Sequence, residues 1–249
     1  MRRLAAAPGV APAIMLIGLL VLWDAAVRIF DIPAFLLPSP ISVAESGLEN
    51  AELLWRHSAV TLVETLIGFA LSAVVGILLA VIMVASPSVG RALYPILVGS
   101  QVIPKVAIAP LAVVWIGTGM VTASLIAFVM AFFPVVVNAT QGLNSVSDGS
   151  RHLLQSMRAT KWQEFRYLRF PTALPHIITG LQLAIAFAIV GAIVGEFVGS
   201  NSGLGYLLIV TQGNLRTDLL FADLIVLTVM GLVLYYGVEL IGKLVLRRR

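Results

Sequence analysis

The sequence predicts an all-α integral membrane protein with six transmembrane helices and both termini on the cytoplasmic side. Three observations carry that expectation. First, 59% of the 249 residues are hydrophobic and only 11% are charged, with a mean hydropathy of +1.02. A soluble domain is nearer 25% charged and about 45–50% apolar. Second, six apolar runs reach the roughly 20 residues that cross about 30 Å of hydrocarbon. Third, the basic residues fall on alternate sides of those runs, as orientation in a membrane requires. This composition excludes a disordered chain and a typical cytosolic enzyme. The net charge of +4 and pI near 9.8 then mark cytoplasmic loops and not a nucleic-acid partner. With no cysteine and three scattered histidines (His57, His152 and His176), no metal site is expected.

The first run spans residues 10–30 and is expected to stay uncleaved, since no small-residue cleavage site follows it. It and the acidic outer loop 31–57 form an N-terminal unit, 1–57. The core unit, 58–246, holds five further spans. The second is 58–85. The third, 92–116, is interrupted by Pro95, Pro104 and Pro110. The fourth, 120–143, carries Pro134. The fifth is 177–199 and the sixth 221–246. With the N-terminus inside, alternation puts Arg2, Arg3, Arg91, Arg151, Arg158, Lys161, Arg166, Arg169, Lys243, Arg247, Arg248 and Arg249 inside. Only Arg28, Arg56 and Arg216 fall outside. Small residues recur every four positions at Gly68, Ser72, Gly76 and Ala80, at Ala123, Ala127 and Ala131, and at Gly180, Ala184, Ala188 and Ala192. Such stripes let helix backbones approach in lipid, so these spans are expected to pack on other helices.

The longest inner loop, 144–176, is too polar to span and too amphipathic for a linker. Ser147 is placed to cap a short helix bearing Leu153, Leu154 and Met157. Thr160 and Gln163 form a capping box that opens a second, on which Trp162, Phe165 and Leu168 share a face. Pro171 and Pro175 are expected to stop or kink the chain before the fifth span. Two readings of the residues stand side by side: an amphipathic surface helix on anionic headgroups, or a docking element for a cytoplasmic partner.

The loop resembles the coupling loop of binding-protein-dependent ABC importer permeases of the type I fold. That signature runs Glu-Ala-Ala, three residues, Gly, nine residues, Ile, any residue, Leu-Pro. The chain matches its spacing with His152-Leu153-Leu154, Arg158, Leu168 and Phe170-Pro171. It departs from it at the Glu, both Ala and the Gly. Leu37-Pro38-Ser39-Pro40, the stretch from Gln101 through Pro104-Lys105 to Pro110-Leu111, Trp115-Ile116-Gly117 and Gly203-Leu204-Gly205-Tyr206-Leu207 are similar to the nitrate, sulfonate and taurine branch. The resemblance implies a homodimer, two cytoplasmic ATPase subunits holding ATP and Mg, an external solute-binding protein, a small solute and a cell inner membrane location. The loop residues His152, Leu153, Leu154, Met157, Arg158, Thr160, Trp162, Phe165, Leu168 and Pro171 would then dock the ATPases. With Arg158 where the pattern has Gly, the bend between the short helices is expected at Ala159-Thr160.

The chain has no GxxxxGK[ST] phosphate loop, so it is expected to bind no ATP or other cofactor itself. No catalytic constellation is present. Polar groups inside spans are functional candidates. Lys105, after Pro104, is either a pathway cation for an anionic solute or a snorkelling or paired lysine, and Gln101 lies one turn before it. Glu196 either lines an outer mouth or faces water. Asn138 and Gln141 are candidates for pathway or helix contacts. Asp24 and Arg28 are spaced to pair. Glu64 and Glu239 read as packing or interfacial groups. The competing class is a secondary transporter or channel, which would show an inverted repeat or paired carboxylates within the spans. The sequence shows neither.

Overall fold

A computed structural model describes residues 10–247, and the described residues form helices and no strand. In order these are α1 (Val10–Ile29), α2 (Pro40–Glu49), α3 (Ala51–Ala85) and α4 (Pro87–Ser100), then a 3-10 turn (Lys105–Ile108) leading into α5 (Ala109–Ile116). Next come α6 (Met120–Asn144), α7 (Asp148–Ser156) and α8 (Lys161–Glu164). A π turn (Phe165–Arg169), α9 (Phe170–Gly199), α10 (Leu204–Gly213) and α11 (Thr217–Arg247) complete the chain. Four stretches are long and apolar enough to cross a membrane: Ala51–Ala85, Met120–Asn144, Lys161–Gly199 and Thr217–Arg247. A fifth crossing is formed if α4 and the Lys105–Ile116 segment, bent by 87°, are one broken span. α1 adds a 20-residue apolar helix. Arg2, Arg3, Arg248 and Arg249, part of the expected charge asymmetry, lie outside the described residues.

Three expectations are corrected. The loop 31–57 is largely helical. Ser39 accepts the Ser42 N–H at 3.1 Å, Pro40 presets the first turn, and α3 begins at Ala51, not at 58. The third span is interrupted as expected, but not at Pro95 or Pro110. Pro110 sits in the first turn of α5, where proline is tolerated, and α4 continues through Pro95 despite the hydrogen bond it removes. The chain breaks instead at 101–104, ahead of Lys105. Pro171 and Pro175 do not stop the chain, because α9 starts at Phe170 and runs through both. A proline ring clashes with the carbonyl four residues back. The π turn before Pro171 widens the helix there, and the Phe170 N–H reaches the Phe165 carbonyl instead.

The core is the contact of α6 with α9 and α3. Ala127, Ala131 and Val135 of α6 interdigitate with Ala184, Ala188 and Ala192 of α9. A Cβ on Gly191 would stand 2.6 Å from the Ala127 Cα, so only glycine lets these backbones meet. All three small-residue stripes are buried, as lipid-phase packing requires.

Candidate functional site

The 144–176 loop is built on one rigid turn and one carboxylate. Ser147 caps α7 by accepting the Ser150 N–H at 3.3 Å. Thr160 and Gln163 complete the capping box: the Thr160 N–H donates to Gln163 Oε1 at 2.7 Å and the Gln163 N–H to Thr160 Oγ1 at 3.3 Å. The bend between them lies at Arg158, not at Ala159-Thr160. Arg158 takes φ 58°, its N–H reaches the Gln155 carbonyl, and the Ala159 N–H reaches the Leu154 carbonyl, each at 3.0 Å. This is a Schellman cap, whose left-handed residue is ordinarily glycine. The position where the family pattern has Gly thus keeps glycine's geometry with an arginine in it.

Glu164, which the sequence reading passed over, ties the loop together. Its Oε1 lies 2.8 Å from Arg169 and 3.4 Å from Arg151, so one carboxylate joins α7 to the π turn. Trp162 stacks on Phe165 at 5.8 Å between ring centroids. Phe165 in turn packs on the Ala80, Leu143, Ala173 and Ile177 cluster. Leu154, Leu168 and Pro171 are half-buried. His152, Leu153, Met157, Arg158, Thr160 and Trp162 are exposed, with Met157 70% and Trp162 66% open. A rigid platform therefore presents uncovered apolar side chains beside basic ones.

The pathway candidates do not converge on one point. Gln101 is exposed in the break. Lys105 is half-buried, its Nζ 4.7 Å from the centre of the Phe133 ring on α6, a cation–π contact. Asn138 donates to the Pro134 carbonyl at 2.8 Å within its own helix and abuts Gly180. Glu196 lies sixteen residues further along α9 than Gly180, about 24 Å away at helical rise.

Glu196 neither lines a mouth nor faces water; it is 1% exposed. Its Oε1 accepts from Thr61 Oγ1 at 2.6 Å, and its Oε2 accepts from the Gly205 N–H. The Leu204 N–H donates to Thr61 Oγ1 at 2.8 Å, and Gly203 meets His57 Nδ1 at 3.0 Å. The carboxylate thus caps α10, whose own N-cap residue, Gly203, has no side chain to do so. Gly203 and Gly205 are required here, since a Cβ on either would strike the Glu196 carboxyl. Glu64 of α3, fully buried, turns its carboxyl toward Glu196. Asp223 of α11, equally buried, lies within electrostatic reach of Glu196. Neither Glu64 nor Asp223 finds an N–H or O–H donor. The expectation that no carboxylates pair within the spans is therefore corrected: residues far apart in sequence meet through helix packing, which no local spacing reveals. Asp24 and Arg28 pair as expected, at 2.7 Å. Among the described residues no cluster of His, Asp and Glu is arranged to hold a metal ion.

Residues 72–249 match the model of the binding-protein-dependent transport system inner membrane component. The chain belongs to that family. It is 36% identical over 227 residues to a probable ABC transporter permease protein of Haemophilus influenzae, covering 91% of this chain and 93% of the relative. It is 36% identical to the formylaminopyrimidine transport permease protein ThiX of Halalkalibacterium halodurans, covering 94% of each. It is 28% identical to the taurine transport system permease protein TauC of Escherichia coli, covering 90% of this chain and 84% of the relative. The methionine ABC transporter MetNI in inward-facing conformations shares the fold, with a TM-score of 0.65 and 21% identity over 80% of this chain and 97% of that one. The protein is a multi-pass membrane permease of the ABC type, with relatives in the taurine, sulfonate and nitrate branch.

Proposed function

We propose that this permease is the transmembrane subunit of an ATP-driven importer in the cell inner membrane. Six spans with both termini in the cytoplasm form the pathway: α1, α3, the broken α4–α5 pair, α6, α9 and α11. Two copies make the translocating unit, and an external binding protein delivers a small solute. ATP and Mg²⁺ are bound by two cytoplasmic ATPase subunits, and the 144–176 loop seats in them. The observation that carries this reading is the loop itself. The Glu164 ion pairs and the Phe165 anchor fix it to α9, while Trp162, Met157, Leu153 and Tyr167 stay uncovered. An exposed apolar patch of this kind marks an interaction site.

Lys105 and Gln101, at the break between α4 and α5, are the pathway groups, and Lys105 favours an anionic solute. Irregular backbone at membrane depth belongs beside a cavity or within protein. The test is co-purification of the tagged chain with the ATPase of its own operon. Wild type is expected to retain near-equal ATPase and a Trp162→Ala, Met157→Ala variant to lose it. Phe165 is left intact because it anchors the loop. If wild type retains no ATPase, the loop rests on headgroups and a secondary transporter or channel takes the place of the importer.

A further inference from the structure

Where α6 ends and the 144–176 loop begins, α3, α4 and α6 enclose an open cavity of about 620 Å³, within the range of ordinary small-ligand sites. The cavity exists because α4 folds closely back on α3. A Cβ on Gly90 would lie 2.7 Å from the Met83 carbonyl oxygen. Met83 and Pro95 supply an apolar wall.

The polar wall carries one cation and no carboxylate. Arg91 lines it, and no carboxylate among the described residues pairs with that guanidinium. Its Nε makes one long bond, 3.3 Å, to the Pro87 carbonyl, which leaves the terminal fork free. Thr140 lines the same space. It is only 7% exposed, and its Oγ1 is closed off from the space, so it contributes shape and no donor. Tyr94, Gln141 and Asn144 add an O–H and two amides. No acidic side chain lines the cavity, so a cation would find no counter-charge.

We propose that this cavity binds an oxyanion carried on a small apolar body: a sulfonate, carboxylate or phosphate. The Arg91 fork takes two of its oxygens, as guanidinium does with planar or tetrahedral oxyanions. Tyr94, Gln141 and Asn144 add polar groups at the rim, and Met83 and Pro95 cover the apolar part. The site is separate from Lys105, which engages Phe133. Asn144, the last residue of α6, is also the first of the loop, so an occupant touches the segment that leads to α7. Both a free organic anion and a lipid headgroup present this chemistry.

The test uses the full-length protein in phosphatidylcholine nanodiscs and 4-fluorobenzenesulfonate as probe, read by ¹⁹F NMR. Wild type is expected to bind saturably. Arg91→Gln, at an exposed position that leaves folding intact, weakens binding by about tenfold or more, the scale of one charge-assisted pair. Arg91→Lys falls between wild type and Arg91→Gln. Adding phosphatidylglycerol to the discs separates the sources. Competition with the probe assigns the site to a headgroup, and its absence assigns the site to a free anion. Equal binding by wild type and Arg91→Gln, or no binding by wild type in either lipid, overturns the proposal.

Discussion

A carboxylate inside an apolar bundle persists only where donors converge on it, and Glu196 meets that condition with one hydroxyl and the first amides of α10. Substitution separates its role from that of Glu64. Glu196→Gln turns an N–H₂ toward groups that are themselves donors, so it is expected to cost about 1–3 kcal/mol. That cost is read as a lower melting temperature in detergent and as faster hydrogen exchange at the Leu204 and Gly205 amides. Glu64→Gln does the reverse: its amide donates to the Glu196 carboxylate, and the variant is expected to match or exceed wild-type stability. A loss of stability in Glu64→Gln equal to that in Glu196→Gln would show that the two carboxyls act alike and that the cap is not the function of Glu196. The Gly203-Leu204-Gly205 run is visible as a motif in the sequence. Its cause is not, because the carboxylate that forbids a Cβ at both glycines comes from the preceding helix and is held by Thr61, from a third.

Among the elements, those whose signals are local are legible and those set by tertiary contact are not. The Ser147 cap and the Thr160–Gln163 box follow from residues three positions apart and occur as the sequence implies. α10, only ten residues long and apolar, has no periodicity to distinguish it from span or loop. Pro95, Pro104 and Pro110 announce a break without saying which yields, and the break falls just ahead of Lys105. Arg158 is the informative failure. Arginine does resist a left-handed conformation, yet the Schellman bonds of α7 hold it at φ 58°, against a cost of about 1–2 kcal/mol. Arg158→Gly is therefore expected to stabilise the loop by up to about 1 kcal/mol. The sign is checked by slower hydrogen exchange at the Met157 and Ala159 amides. Unchanged or faster exchange would mean that Arg158 adds contacts worth more than the relief of its backbone.

At the scale of the whole molecule, stability rests on how closely backbones approach, because lipid offers apolar side chains as good a solvent as a neighbouring helix does. The recurrence of small residues at every fourth position is readable from sequence alone, since a helix puts those positions on one face. The partner of each stripe is not, since spacing along one helix does not name the helix it meets. Two glycines separate packing from propensity. Gly191→Ala puts a Cβ 2.6 Å from the Ala127 Cα. A main-chain atom cannot rotate away, so α6 and α9 must part, at an expected cost of about 1–3 kcal/mol. Gly237→Ala on α11 meets nothing within 4 Å, and there the gain in helix propensity, about 0.5–1 kcal/mol, acts alone. The same chemical change is thus expected to lower the melting temperature of the detergent-solubilised protein at position 191 and to raise it at 237. A raised melting temperature at both positions would mean that propensity outweighs contact and that α6 and α9 do not meet along the glycine–alanine seam.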